Sequence, residues 1–148
     1  MLKLVIDTNV VISALLKPES NPALILSLIL RGDYRFYLTE KIITEYQEVL
    51  RRSKFKHLDR ASVREFLFAL RSKALWIAPE ITIDDAAKDS ADNAFLECAL
   101  VSKADFLITG NIQHFPEKSF HRTSIVTPAE FISCVVKIMK NIGVGLKD

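Results

Sequence analysis

The sequence predicts an α/β fold built on a mainly parallel sheet. Three observations predict it: short apolar or aromatic segments recur along the chain, helical patterns separate most of them, and several helix starts carry capping signals. Strands that alternate with helices need crossover connections, which place helices over both faces of a parallel sheet.

The elements follow in order. Residues 2–7 (LKLVID) form a first buried strand that ends on Asp7, and the chain turns helical directly after it. Asn21-Pro22 places proline at the first position of a second helix. A strand over 34–38 (YRFYL) is followed by Thr39-Glu40, which opens a third helix. Residues 60–73 form an amphipathic helix with Val63, Phe66, Leu67 and Leu70 on one face, and 75–78 (LWIA) read as the next buried strand. Asp89 or Ser90 caps a helix running to about Lys103. Strands over 105–109 (DFLIT) and 123–127 (TSIVT) come next, and Thr127-Pro128-Ala129-Glu130 combines a proline start with a capping box.

The 148 residues suit a single domain over 1–140, with 141–148, containing Gly143 and Gly145, as a flexible tail. A composition of 49% hydrophobic and 26% charged residues excludes broad disorder. The net charge of +2 gives no global field for nucleic acid, so any such binding rests on local patches. No charged and apolar leader opens the chain, and no apolar run approaches a membrane span, which points to the cytoplasm. Cys98 and Cys134 lack ligand spacing and read as two buried free thiols.

The chemistry centres on Asp7. A carboxylate at the carboxyl end of a buried strand stands where open α/β sheets build their sites, and burying it bare costs several kcal/mol, roughly. Three other segments offer it company. In the helix after Thr39, Ile42, Ile43, Tyr46, Val49 and Leu50 define the apolar face. On a helical wheel Glu48 falls roughly 160° from the centre of that face, and Glu45 roughly 100°, on the border between core and water. A lone border glutamate would be an ordinary surface residue; the remaining acids give it another use. Asp89 and Asp92 both stand at the start of an apolar helix, where Asp89 serves as the cap and Asp92 is left to project over the sheet end. After the strand 105–109, Thr109-Gly110-Asn111 makes a turn in which glycine permits a positive φ and close backbone approach. Asn111 is the first polar side chain beyond that strand end, and the two strands suit neighbouring positions at the switch point of the sheet.

Acids and an amide gathered at such a point suit a hard divalent cation, which relieves the repulsion between carboxylates. His57, His114 and His121 show no zinc spacing; His114 follows the turn at Asn111 and can lie near a substrate, although a lone loop histidine is ordinarily solvated. The basic run Arg51-Arg52-Ser53-Lys54-Phe55-Lys56-His57 can steer a nucleic-acid backbone through Arg51, Arg52, Lys54 and Lys56, with Phe55 available to stack a base. A solvated helix end complementing its dipole accounts for the same run.

Four segments taken together resemble the PIN domain family: Val5-Ile6-Asp7-Thr8-Asn9-Val10-Val11, Glu45 in Thr-Glu-Tyr-Gln-Glu-Val-Leu, Asp89-x-x-Asp92-Asn93-x-Phe95-Leu96-Glu97-Cys98-Ala99, and Ala104 to Asn111. The closest likeness is to the branch of toxin components of toxin–antitoxin systems, similar to VapC-type ribonucleases, and Val126 to Phe131 matches that branch too. The resemblance extends from residue 2 to about 133 and implies a three-layer α/β/α sandwich that binds Mg²⁺ or Mn²⁺ and hydrolyses RNA. By position it implies Asp7, Glu45 and Asp92 as metal-site acids, with Thr8, Asn9 and Thr109 as polar support. It also implies a homodimer and an antitoxin partner. Asn111 departs from the pattern, standing where the family usually has a fourth acid; Asp89 is placed to compensate. Two other readings stay open: a degenerate PIN-like domain that binds RNA or protein without cutting, and an aspartyl-phosphate protein with Asp7 as nucleophile.

Overall fold

The computed structural model describes residues 1–80 and 92–142. Six strands form one sheet in the order β3-β2-β1-β4-β6-β5: β1 (Lys3–Ile6), β2 (Arg35–Leu38), β3 (Leu75–Trp76), β4 (Phe106–Ile108), β5 (Ser119–Phe120) and β6 (Thr123–Val126). All pairings are parallel except β5 with β6. The described helices are α1 (Thr8–Leu16), α2 (Asn21–Arg31), α3 (Glu40–Leu50), α4 (Arg60–Lys73), α5 (Asn93–Ser102) and α6 (Pro128–Asn141), with 3-10 turns at Ser53–Phe55 and Ile112–His114. They make the α/β/α sandwich: α5 lies across β1, β2 and β4, while α6 packs on β4 and α2.

The central strands are apolar because both faces are covered. Leu4, Val5, Ile6, Leu107 and Ile108 are wholly buried, and β1 pairs with β4 in the register Leu4–Phe106, Val5–Leu107, Ile6–Ile108. That register puts Asp7 and Thr109 side by side just past the strand ends. The chain passes outward from β1 to β2 and β3, then returns to β4 on the other side of β1. The β1/β4 boundary is therefore the switch point where such sheets open a crevice.

Local signals set the helix ends. Ser20, Thr39 and Asp59 each accept a backbone N–H at the start of α2, α3 and α4, and Gly32 closes α2 at φ +94°, a left-handed value that favours glycine. Thr127 and Glu130 complete the capping box of α6. Phe131 then anchors that helix, meeting Tyr34 and Phe106 edge to face.

Several expectations are corrected. The 75–78 segment is a two-residue edge strand with Leu75 and Trp76 exposed; Trp76 stacks under Arg71 and donates Nε1–H to the Arg71 carbonyl. An edge strand has only one neighbour to cover it, which its aromatic content alone does not reveal. β5 went unforeseen because two residues are too short for a periodic signal. Cys134 is only half-buried, whereas Cys98 is fully buried and its thiol is pushed up to about 12 by desolvation. Asp89 and the expected cap at 89–90 lie outside the described residues, as do 143–148 of the tail.

Thr127→Ala is expected to lower stability by about 1 kcal/mol in urea denaturation, the usual cost of losing a cap. Hydrogen bonds from the Thr127 backbone and side chain hold the Glu130 carboxyl below its ordinary 4.5. Its contribution is therefore present above pH 4.5 and fades as the pH falls through the lowered value, so wild type and Glu130→Gln should converge in acid.

Candidate active site

Asp7 follows the last residue of β1, and its backbone N–H still pairs with the Ile108 carbonyl of β4 at 2.9 Å. Its side chain is 3% exposed. Oδ1 accepts from the Thr8 N–H at 2.7 Å; Oδ2 accepts from the Thr109 hydroxyl at 2.6 Å and Asn9 Nδ2 at 3.1 Å. Burial pushes the carboxyl above its ordinary range, and the bonds from Thr109, Thr8 and Asn9, with His114 nearby, pull it back. Beneath it, Tyr46 of α3 donates its hydroxyl to the Ile6 carbonyl, fixing the strand end.

The β4 turn is tied to the same carboxylate. Asn9 Oδ1 accepts from the Gly110 N–H at 2.7 Å, and Thr109 Oγ1 accepts from the Asn111 N–H at 3.0 Å. Gly110 serves here by proximity, not by a positive φ: a Cβ would lie 3.1 Å from Asn9 Oδ1, a tight contact that would press on that amide, and the only described glycine with positive φ is Gly32.

A cleft of about 450 Å³ opens beside this network, lined by Asp7, Thr8, Asn9, Glu45, Asp92 and Asn111 among others. Glu45 is half-buried and Glu48 exposed, the distinction the helical wheel drew. Asp92 occupies the N-cap position of α5 in a helical conformation, yet its carboxylate does not cap the helix. It is buried, and its Oδ2 lies 3.4 Å from His114 Nδ1. The four basic candidates divide. Arg52 and Lys54 line the cleft, Arg51 lines a separate groove, and Lys56 lines neither.

Phe55, expected to offer a stacking face, lines the cleft but is only 7% exposed, packed into the core with Lys54 Nζ 5.1 Å above its ring. A 3-10 turn at 53–55 rotates it inward, which the alternation of bases around it does not show. His114, which the sequence offered either as lying near substrate or as an ordinary solvated loop histidine, lines the cleft, where the 3-10 turn after Asn111 places it. Glu97 was unassigned. It is buried in α5 and reaches Lys41 Nζ at 3.4 Å. Its signal was available, since a helix apolar on all sides buries whatever charge it carries.

Among the described residues, no three His, Cys, Asp or Glu side chains stand close enough to hold a metal ion by themselves. Two further observations bear on fit. Thr8 Oγ1 is buried without a hydrogen-bond partner, which calls for a water or ligand oxygen at the cleft wall. The donor set is oxygen-rich, and magnesium is typically held by one or two carboxylates, keeping several waters and taking further oxygens from substrate phosphate. The residues fit such a hydrated ion.

Comparison with known proteins agrees with the geometry. Residues 3–113 match the PIN domain family. The chain belongs to that family. It is 33% identical over 141 residues to the uncharacterized protein MJ1680 of Methanocaldococcus jannaschii, across 88% of this chain and 90% of that protein. Its fold is similar to that of VapBC2 from Rickettsia felis, solved bound to a DNA fragment from their promoter. That match has a TM-score of 0.57 and 15% identity, covering 85% of this chain and 98% of the other. At that identity the likeness speaks for the fold of this PIN domain alone.

Thr109→Val keeps the shape of the side chain but strips a bond from Asp7 and the acceptor from Asn111 N–H. It should cost about 1–3 kcal/mol by urea denaturation, the range for leaving buried polar groups unmade.

Proposed function

We propose that this PIN domain is a divalent-metal-dependent endoribonuclease that hydrolyses phosphodiester bonds in RNA. The observation that carries the reading is the convergence of Asp7, Glu45, Asp92 and Asn111, from four separate segments, on one cleft. Asp7, Asp92 and Glu45 are the residues that would hold Mg²⁺ or Mn²⁺. Such an ion, when bound, polarises a phosphoryl oxygen and makes a bound water acidic.

The chain's own groups have distinct parts. Asp7 is immobilised by three hydrogen bonds and so presents a fixed anionic edge to the cleft. Glu45, on the wet border of α3, can accept a proton from an attacking water. Arg52 and Lys54 draw the phosphate backbone against the acids. Asn111 offers an amide that orients water or phosphate but adds no charge, so a second ion is held weakly and turnover is attenuated.

The resemblance to toxin components supports the toxin of a toxin–antitoxin pair, acting in the cytoplasm as a homodimer and held in check by an antitoxin protein. Among the described residues no helix is long and apolar enough to cross a membrane, which accords with that setting. Asn111 also favours a second reading, a degenerate domain that binds RNA without cutting.

Cleavage of single-stranded RNA should require Mn²⁺ or Mg²⁺ and stop with chelator. Asp7→Asn and Asp92→Asn should each lower it at least a hundredfold and abolish Mn²⁺ binding in calorimetry. Asn111→Asp should raise both cleavage and metal affinity. Metal binding without cleavage by wild type or Asn111→Asp would favour the binder. Because only one of the two lysines faces the cleft, Lys54→Glu should weaken RNA binding and lower its salt dependence, and Lys56→Glu should do so far less.

A further inference from the structure

The cleft uses only part of the cationic surface. Between residues 51 and 73 there are eight Lys or Arg and two acids, whereas the whole chain carries only +2; the rest of the chain is therefore net −4. This cationic segment forms the C-terminal end of α3, the turn after it, and α4. A groove of about 780 Å³ runs between the two helices, lined by Arg51, Arg60, Arg64, Phe68 and Arg71, with Glu65 as its one acid.

The groove and the cleft share no lining residue, but neighbours in the chain line the two. Arg51 lines the groove and Arg52, the next residue, lines the cleft. Arg60 fixes that junction: its Nη1 donates to the Leu50 carbonyl at 2.7 Å and its Nη2 to the Phe55 carbonyl at 3.3 Å, clamping the turn between them. Arg60 is thereby spent on structure, while Arg51, Arg64 and Arg71 are exposed, Arg71 with its guanidinium over the Trp76 ring. Residues 60, 64, 68 and 71 recur at helical spacing along one face of α4, over roughly 16 Å of helix axis. Phe68, 71% exposed, stands among them.

We propose that this groove is a second RNA-binding surface, holding the strand that leads away from the cleft; it rests on the ribonuclease reading above. Guanidinium forks match phosphate oxygens, and an exposed aromatic ring offers a stacking face to any base. A protein helix is less well served. Leu50, Val63 and Leu67 in the groove are 1%, 6% and 8% exposed, leaving Phe68 as the main apolar anchor. Four arginines against one glutamate line the groove, a charge balance that suits a polyanion.

The test compares two fluorescein-labelled oligouridylates, their binding read by anisotropy in chelator and their cleavage separately in Mn²⁺: a short one that fills only the cleft and a longer one that also reaches the groove. Arg64→Gln/Arg71→Gln should weaken the longer RNA about tenfold and leave the short one unchanged. For two lost phosphate contacts, the slope of log affinity against log salt should fall in magnitude by roughly 1.4. Phe68→Ala should weaken the longer RNA alone, and Phe68→Tyr should restore it; matching thermal melts exclude misfolding. If wild type binds and cuts both RNAs and these variants do not differ from it, the groove proposal fails and the ribonuclease reading stands. If wild type neither binds nor cuts either RNA, both fail. Unchanged RNA binding with weakened binding of a synthetic acidic amphipathic helix would assign the groove to a protein and overturn the proposal.

Discussion

The cleft depends on keeping one carboxylate, Asp7, out of water without letting its charge disrupt the sheet. Burial alone raises its proton affinity; three donors oppose that, and each also performs a structural task. Thr8 N–H is one of the unpaired donors of the α1 N-terminus. Thr109 Oγ1 bonds Asp7 and organises the β4 turn through Asn111. Asn9 donates to Asp7 and accepts from Gly110, so one amide spans both strand ends. Disturbing any of these shifts the carboxylate and the β1/β4 junction together.

Much of this arrangement was legible in the sequence, for identifiable reasons. Buried parallel strands are short apolar runs, and the helices between them carry conventional caps, so the order of elements and the switch point followed from pattern. Glu45 was placed correctly because a helical wheel converts sequence position into direction. Glu48, three residues on, fell to solvent by the same geometry. The failures share a different origin. Phe55 ends one 3-10 turn and His114, which the sequence left between two readings, ends another; turns this short leave no periodic trace. Gly110 was read for a positive φ and for close backbone approach; only the second holds, and that contact joins segments 101 residues apart. Exposure of Trp76 reflects its edge position, a property of the whole sheet.

Charge is segregated on this molecule in a way that its small net value conceals. The acids converge at the sheet end, where burial and hydrogen bonding restrict them. The cations gather on α4 and the turn before it, where Arg60 anchors the backbone and leaves its neighbours in water. An anionic polymer approaching the acids directly meets repulsion; approaching along the basic turn, it meets attraction first. Orientation is thus imposed before any contact with the cleft.

The bond from Thr109 to Asp7 closes a loop of 102 residues. During synthesis Asp7 emerges first, and its hydroxyl partner and the neighbouring strand that buries it follow only about a hundred residues later. During that interval the carboxylate is an ordinary hydrated side chain with no fixed direction. Whatever chemistry the cleft performs is therefore unavailable to nascent or truncated polypeptides. Competence is a property of completed folding, built into the order in which the strands are synthesised.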